Sequence, residues 1–456
     1  MNDTIAALAT PLGEGGISVI RISGENALSI ATGLFHSASS LLPPPPQKVL
    51  FGEVREPESG KVIDEVLLTY FKKPNSYTGE HIVEISGHGG TLVSTTLLQL
   101  ILKQGARLAE PGEFTRRAFI HGRLDLTQAE AVADLIDAAS TKALNAAVSQ
   151  LKGELSRRIN KLFEQLLAVQ AQLEAAIDFS EEGLTFQSRE TTGRQIEDVK
   201  KEMLLLVQSF RQGKIIREGM RVTLVGKPNV GKSSLLNALM QEDRAIVTDI
   251  PGTTRDTLEE RVRIKDIHII IIDSAGLRDN PEMIEEEGIR RTRNALAQAD
   301  LALVLFDPSQ SLDGNDELLM NEVSDQPRCV LFNKSDLEQK WTKEKIENFL
   351  QGEKPISLSA KLGTGLEDLK EAIYNHAIRG ERVGESIAIT RERHRDHLQQ
   401  AAEALANASS SMVSGCSEEL IAVDVTLAME HLGSILGKTF AEDLLDKIFG
   451  QFCIGK

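Results

Sequence analysis

Arg221-Val222-Thr223-Leu224-Val225-Gly226-Lys227-Pro228-Asn229-Val230-Gly231-Lys232-Ser233-Ser234 is the stretch that decides the fold. An apolar run with the length and valine content of a buried parallel strand leads into Gly226. A glycine-rich turn follows, and Leu235-Leu236-Asn237-Ala238-Leu239 reads as the first turns of a helix. The spacing is G-x-x-x-x-G-K-S, that of a phosphate-binding loop. Gly226 and Gly231 let backbone N–H groups turn inward around a polyphosphate at the positive end of a helix. Lys232 reaches the terminal phosphates, and the Ser233 hydroxyl is placed to ligate Mg²⁺. A glycine-rich turn with a chance lysine is the plainer reading; the strand and helix signals on either side argue against it.

Three further strand ends extend the pattern. Ile267-His268-Ile269-Ile270-Ile271-Ile272 ends in Asp273-Ser274-Ala275-Gly276, where an aspartate can hold Mg²⁺ through water and the Gly276 N–H can sense a γ-phosphate. Arg328-Cys329-Val330-Leu331-Phe332 delivers Asn333-Lys334-Ser335-Asp336. The Asp336 carboxylate can accept from guanine N1–H and its exocyclic amine, a donor pair that adenine lacks. Ile356-Ser357-Leu358 leads to Ser359-Ala360-Lys361, where a backbone N–H can meet guanine O6. Each motif is weak alone; four in order describe a GTP site.

With 456 residues the chain has room for two or three domains. Hydrophobic residues make up 41% and aromatics only 4%, which with Ala- and Leu-rich texture favours helix over sheet. The net charge of −16 leaves no global basic footprint for nucleic acid, so tight RNA binding by this chain alone is disfavoured, while a local basic face or a basic partner is not. Three separated cysteines point to a reducing cytosol rather than a disulfide framework, and the expected location is cytoplasmic. No signal pattern and no apolar run of membrane-spanning length is present, so no membrane association is expected.

Residues 1–118 read as a mixed α/β domain, with strands at Gly16 to Gly24, Val62 to Phe71 and His81 to Ser86, and helices at Asn26 to Phe35 and Thr91 to Lys103. Pro43-Pro44-Pro45-Pro46 is a stiff extended spacer. Arg21 and Glu84 lie in strongly apolar strands, either on a solvated sheet face or converging on a ligand. His88, in Gly87-His88-Gly89-Gly90, is read as a loop histidine with a structural hydrogen bond. Amphipathic helical texture follows at Ala129 to Ser140, Ala143 to Ile159, Leu162 to Ile177 and Thr192 to Gln212, and returns at Arg391 to Met412 and Leu420 to Ile448. The expected organisation is therefore an N-terminal domain (1–118), a discontinuous helical domain (119–214 and 379–456), and a complete nucleotide domain inserted at 215–378. The fold class is multidomain, α/β plus all-α, with a Ras-like α/β P-loop domain. At the end of the chain Phe452-Cys453-Ile454-Gly455-Lys456 puts a cysteine fourth from the end; Gly455 and Lys456 fit a prenylation box badly, and a plain surface thiol is the default.

The loop Gly-Lys-Pro-Asn-Val-Gly-Lys-Ser-Ser-Leu-Leu-Asn, the segment Thr248-Asp249-Ile250-Pro251-Gly252-Thr253-Thr254-Arg255-Asp256, the Asp273 motif followed by Leu277-Arg278 and the terminal Phe-Cys-Ile-Gly-Lys resemble the MnmE/TrmE family of tRNA-uridine modification GTPases, within the TrmE–Era–EngA-like group. Arg21-Ile22-Ser23-Gly24, Asn75-Ser76-Tyr77-Thr78-Gly79-Glu80, Gly87 to Gly90, Pro111-Gly112-Glu113-Phe114 and Leu124-Asp125-Leu126-Thr127-Gln128-Ala129-Glu130 match it too, so the likeness covers the whole chain. The resemblance implies a homodimer, a folate-binding N-terminal domain, and a heterotetramer with the flavoprotein MnmG, on which FAD is expected. Together they would modify C5 of the wobble uridine, position 34, of certain tRNAs with a one-carbon unit of a tetrahydrofolate derivative, 5-formyl or 5,10-methylene, giving (carboxymethyl)aminomethyluridine. An RNA-bound ribosome-assembly GTPase is the alternative, disfavoured by the helical, acidic segment after the nucleotide domain.

Leu277 stands where many small GTPases place a water-orienting glutamine. The resemblance assigns that work to Glu285, with Glu282, Glu286 and Glu287 close by; a solvated acidic helix face is the plainer reading. In place of an arginine finger it implies K⁺ held by Asn229, Thr248, Ile250 and Thr253. Thr254 joins Ser233 on Mg²⁺. The nucleotide contacts are then Asn229, Val230, Gly231, Lys232, Ser233, Ser234, Thr248, Asp249, Ile250, Pro251, Gly252, Thr253, Thr254, Asp273, Ser274, Ala275, Gly276, Asn333, Lys334, Asp336, Ser359, Ala360 and Lys361. Pro251 stands where other members of the family can carry a different small residue, and it fixes φ there. Folate contacts are implied at Arg21, Glu84, Arg123 and Lys456, with Arg123 where relatives use lysine, and Cys453 is implied as catalytic.

Overall fold

Alternating and continuous apolar patterns build two different sheets among the described residues. The computed structural model describes residues 3–37, 43–178, 188–243, 259–273, 293–378 and 388–456. The N-terminal sheet contains β1 (Ile5–Leu8), β2 (Ile17–Ser23), β3 (Phe35–His36), β4 (Val49–Arg55), β5 (Val62–Phe71), β6 (Ile82–His88) and β7 (Arg107–Leu108), in the order β3-β4-β5-β6-β2-β1-β7. Ile20, Ile22, Val66, Leu68, Val83 and Ile85 form one core with Ile30 and Leu34 of helix α1 (Ala27–Leu34) and Leu97 and Ile101 of α2 (Thr91–Lys103). The alternate set is different: Ile17, Val49, Phe51 and Leu67 are exposed.

Behind this sheet sits a buried charge network. Arg117, in α3 (Glu113–Ile120), is fully buried and lies 2.8 Å from Glu113, 3.1 Å from Glu80 and 3.0 Å from Asp3. Arg107 bridges Asp3 and Glu113 at 2.7 Å each. Burial pushes the Glu113 carboxyl up, but the two guanidiniums outweigh it and hold its pKa below the ordinary value. Asp3 and Arg107 are nearly half exposed, but the Arg117–Glu113 pair is buried, and removing Glu113 alone would leave the Arg117 guanidinium short of a partner at about 3–5 kcal/mol.

The helical segments depart from expectation in two places. The break expected near residue 160 falls instead at Gly153, between α5 (Thr141–Leu151) and α6 (Glu154–Asp178), with α4 (Leu126–Ile136) preceding them. Gly153 adopts φ +77°, a left-handed turn that only glycine enters cheaply. The stretch Leu420 to Ile448 is likewise two helices, Glu418–Leu436 and Glu442–Phe449. Gly437 caps the first at φ +76°, and a Cβ there would lie 2.8 Å from the Phe119 ring and 2.9 Å from Leu126 Cβ. Helix α7 (Arg189–Glu218) and helix Glu392–Val413 complete the set.

The second sheet follows α7. It consists of β8 (Met220–Gly226), β9 (Glu259–Ile264), β10 (Ile267–Asp273), β11 (Leu301–Phe306), β12 (Arg328–Phe332) and β13 (Ile356–Ser357), in the order β13-β12-β11-β8-β10-β9. Every pairing is parallel except β9 with β10. One face packs on Leu235, Leu236 and Leu239 of α8 (Lys232–Asp243) and on Leu369 and Ile373 of helix Leu366–Ile378; the other packs on Met320, Trp341 and Leu350. Strands covered on both faces explain the near-continuous apolar runs.

The contacts divide the chain into two compact units. One comprises Met1–Ile136, Ser149–Lys200 and Gln400–Lys456; the other, which holds the parallel sheet, comprises Asp137–Val148 and Lys201–Gln399. Among the described residues no helix is long and apolar enough to cross a membrane.

Candidate functional site

β8 has β10 on one side and β11 on the other, so the chain reverses its direction of winding at the carboxyl end of β8. Crevices that take ligands form at such points in open α/β sheets. The loop 226–231 leaves β8 there and enters α8 at Lys232. Its geometry is tight: a Cβ on Gly226 would lie 2.7 Å from the Leu305 carbonyl. Gly231, at φ +101°, has the Asn333 amide 2.2 Å from where its Cβ would stand. Asn229 is left-handed at φ +62° although it is not glycine. The Lys232 ammonium donates to the carbonyls of Gly226 and Lys227 at 2.8 and 2.9 Å, arching over the loop. Ser233 and Ser234 are exposed in the first turn of α8.

The guanine-type motifs gather at the same edge. Asn333 is buried; its Nδ2 donates to Val230 O at 2.7 Å and its Oδ1 accepts from the Ala360 N–H at 3.0 Å. Lys334 pairs with Asp307 at 2.7 Å. Burial would raise the Asp307 pKa, but Lys334 and Ser309 reverse that and hold it below the ordinary range. Asp336 is exposed, and the Ser359 hydroxyl donates to its Oδ1 at 2.6 Å, which holds its carboxyl below the usual value. Lys361 is exposed beside it. The chain's one tryptophan braces this loop. Trp341 packs edge-on against Phe332 with ring centroids 5.3 Å apart, and its indole N–H donates to Gln310 O at 2.8 Å. The arrangement offers backbone N–H groups to phosphates at one end and a fixed carboxylate to a base at the other.

Asp273 ends β10 as expected. Ser274, Ala275, Gly276, Thr248, Asp249, Ile250, Pro251, Gly252, Thr253, Thr254 and Glu285 lie outside the described residues.

In the other unit, Arg21 and Glu84 face each other across β2 and β6 and form an ion pair at 2.8 Å. The guanidinium lies between two aromatic rings, 5.5 Å from the Tyr77 centroid and 5.7 Å from that of Phe114. The Tyr77 hydroxyl meets Thr115 at 2.8 Å. The chain terminus reaches the same place: Arg21 donates to Gly455 O at 3.5 Å, and the Phe114 N–H donates to Lys456 O at 3.2 Å. Cys453 is exposed, and its carbonyl accepts from the Gly112 N–H at 3.5 Å. The side-chain stem of Arg123 lies against Gly79, two residues from Tyr77. Arg21 and Glu84 are thus paired and Arg21 touches the backbone of Gly455, while Cys453 and Lys456, its neighbours in the sequence, are held through their carbonyls on Gly112 and Phe114. Tyr77 and Phe114 were visible only as parts of quoted motifs, with no role read from the sequence. His88 sits elsewhere, its Nδ1 2.6 Å from Asp64 Oδ1.

A phosphate loop at the reversal point, with the Asp336 and Ser359 loops on the same sheet edge, defines a P-loop GTPase domain. Family models for the N-terminus of the GTP-binding protein TrmE and for the MnmE helical domain match residues 4–123 and 126–453. The tRNA modification GTPase MnmE of Syntrophus aciditrophicus is 44% identical over 100% of both chains, and that of Natranaerobius thermophilus is 43% identical over 100% of this chain and 99% of the relative. Among solved structures, the G domain of the T. maritima FeoB iron transporter matches 35% of this chain and 98% of its own length, at 28% identity and a TM-score of 0.27. The chain belongs to the MnmE family of tRNA modification GTPases.

Asp336→Asn tests the base-reading edge. An amide accepts from N1–H but donates where guanine also donates, so GTP affinity should fall about 100-fold or more, on the order of 3 kcal/mol for charge-assisted bonds. Xanthosine triphosphate, with a carbonyl at that position, should bind better than GTP. A competition assay that still finds GTP preferred removes the role.

Proposed function

We propose that this chain is a K⁺-dependent GTP hydrolase that drives, with a flavoprotein partner of the MnmG type, folate-dependent modification of C5 of the wobble uridine of certain tRNAs. The observation that carries the nucleotide half is Asn333, whose amide joins the phosphate loop to the Ala360 loop beside a carboxylate suited to guanine. The tRNA half rests on the MnmE family to which the chain belongs.

In this reading Lys232 and the N–H groups from Asn229 to Ser234 hold the phosphates, and Ser233 and Thr254 hold Mg²⁺. Asn229, with Thr248, Ile250 and Thr253, supplies neutral oxygens of the kind an alkali cation takes, and of these Asn229 is already fixed in an unusual backbone conformation. A monovalent cation there supplies positive charge beside the γ-phosphate. The effect asked of it is that of an arginine finger, about 10³–10⁵ in rate or roughly 4–7 kcal/mol. Glu285 orients the water. The nucleotide domain spans about 215–378 and is inserted in the helical domain.

The N-terminal residues fit a tetrahydrofolate. Glu84 can accept from pterin N–H donors, while Arg21, Arg123 and Lys456 suit an anionic glutamate tail. Arg21 and Glu84 stand on the sheet face whose neighbours Ile17, Phe51 and Leu67 are exposed, which favours a homodimer closing over them. Cys453, an exposed thiol whose carbonyl meets Gly112, is the candidate for the modification chemistry, and the flavin itself belongs to the partner.

Three measurements decide the reading. GTP hydrolysis in KCl should exceed that in NaCl at equal ionic strength by about 10²-fold or more; equal rates defeat the cation. Titration calorimetry with 5-formyl-tetrahydrofolate should show heat for the parent protein and at least about tenfold weaker binding for Arg21→Ala; a parent that does not bind ends the folate claim. Mass spectrometry of tRNA from cells lacking the protein should find the wobble uridines unmodified, and normal modification would sink the tRNA assignment.

A further inference from the structure

Asn229 stands at φ +62°, a left-handed conformation that costs most residues with a Cβ about 1–2 kcal/mol and asparagine less, so its neighbours need only select it. On its C-terminal side Asn333 grips the Val230 carbonyl at 2.7 Å. On its N-terminal side the grip comes from Lys227. Its ammonium lies 2.8 Å from Asp313 Oδ1 and 2.8 Å from Asp316 Oδ2, at the start of helix Gly314–Glu322. Asp313 is the N-cap of that helix and Asp316 accepts its backbone N–H in a capping box, so the anchor is part of a rigid turn.

This is no ordinary surface pair. The Asp316 side chain is 4% exposed and that of Lys227 26%, so this pair is partly shielded from water, whereas Asp313 at 54% is not. Burial works against the Lys227 ammonium, yet Asp313 and Asp316 outweigh it and its pKa lies above the ordinary lysine value. The carbonyl of the same residue receives the Lys232 ammonium at 2.9 Å. One residue thereby fixes the backbone before Asn229 and a resting contact of the phosphate-binding lysine.

We infer that Lys227, anchored on Asp316, is a positioning residue for GTP hydrolysis: it holds the Lys227-Pro228-Asn229 backbone so that the Asn229 side chain is presented for the monovalent cation. The inference rests on the cation reading above. Of the phosphate contacts proposed above only the Asn229 N–H adjoins this anchor; Val230 is held by Asn333 and residues 232–234 by α8, so most of the nucleotide affinity is expected to outlast loss of the anchor while turnover is not.

The test uses the full-length protein. GTP hydrolysis is followed across a KCl titration at ionic strength held constant with choline chloride, and affinity is measured for a fluorescent GDP analogue. Lys227→Met should lower kcat about tenfold and raise the half-activating K⁺ concentration about tenfold, with GDP affinity within about twofold of the parent. Lys227→Arg, which keeps the charge, should restore both to within about threefold. Should Lys227→Met fail to fold, the same readouts on Asp316→Asn decide. Unchanged kcat and K⁺ activation overturn the assignment, as does a loss of GDP affinity in step with kcat, which marks a merely structural pair. A parent enzyme indifferent to K⁺ instead defeats the cation reading, and Lys227 is then judged on kcat against GDP affinity alone.

Discussion

One buried carboxamide holds the nucleotide edge together. Asn333 begins the loop after β12, donates to the phosphate loop at Val230 and accepts from the backbone after β13 at Ala360. Three loops separated by up to about 130 residues of chain are tied through two bonds of one side chain. In a buried setting such bonds are strong, and a half-satisfied amide would cost about 1–3 kcal/mol. The constraint spreads outward. Gly231 must be glycine because the amide occupies its Cβ position, and Ser335 N–H reaches the Leu358 carbonyl at 3.1 Å, keeping the Asp336 and Ser359 loops in register. The Asp336 carboxylate and the glycine-rich loop are therefore one assembly, not two loops that happen to adjoin.

Much of this was legible in the sequence, for a physical reason. A parallel sheet buried on both faces writes its strands as continuous apolar runs, and each functional loop begins where a run stops. Ile267–Asp273 and Arg328–Phe332 could be placed by eye on that basis. The N-terminal strands at 17–23 and 62–71 alternate clearly enough to be found as well. What stayed hidden are pairings between distant elements. Nothing local in Lys227 or in Asp316 announces that they meet, and Tyr77 from the loop before β6 and Phe114 from α3 become partners of Arg21 only once the chain has folded. The helix breaks at Gly153 and Gly437 were missed because amphipathic spacing continues through them. Period alone does not reveal a left-handed glycine; the close approach of Phe119 and Leu126 to Gly437 does.

The Arg21 cluster is built on a different logic. There the clustered groups come from both ends of the sequence, and residues 453, 455 and 456 are held through their backbone carbonyls. Gly455 adopts φ +98°, and a Cβ on it would lie 2.1 Å from the Leu8 carbonyl, so any other residue would push the tail off β1. The tail in turn issues from helix Glu442–Phe449, whose Leu445, Ile448 and Phe449 share a core with Phe119 and Leu126, together with Phe452 of the tail itself. The carbonyls of Cys453, Gly455 and Lys456 meet Gly112, Arg21 and Phe114. Position of the terminal cysteine and lysine is thus set by helix packing, whereas Arg21 and Glu84 are set by strand register. The cluster therefore has two anchors, strand register for Arg21 and Glu84 and helix packing for the tail, which are independent in sequence and meet through the carbonyls of Cys453, Gly455 and Lys456.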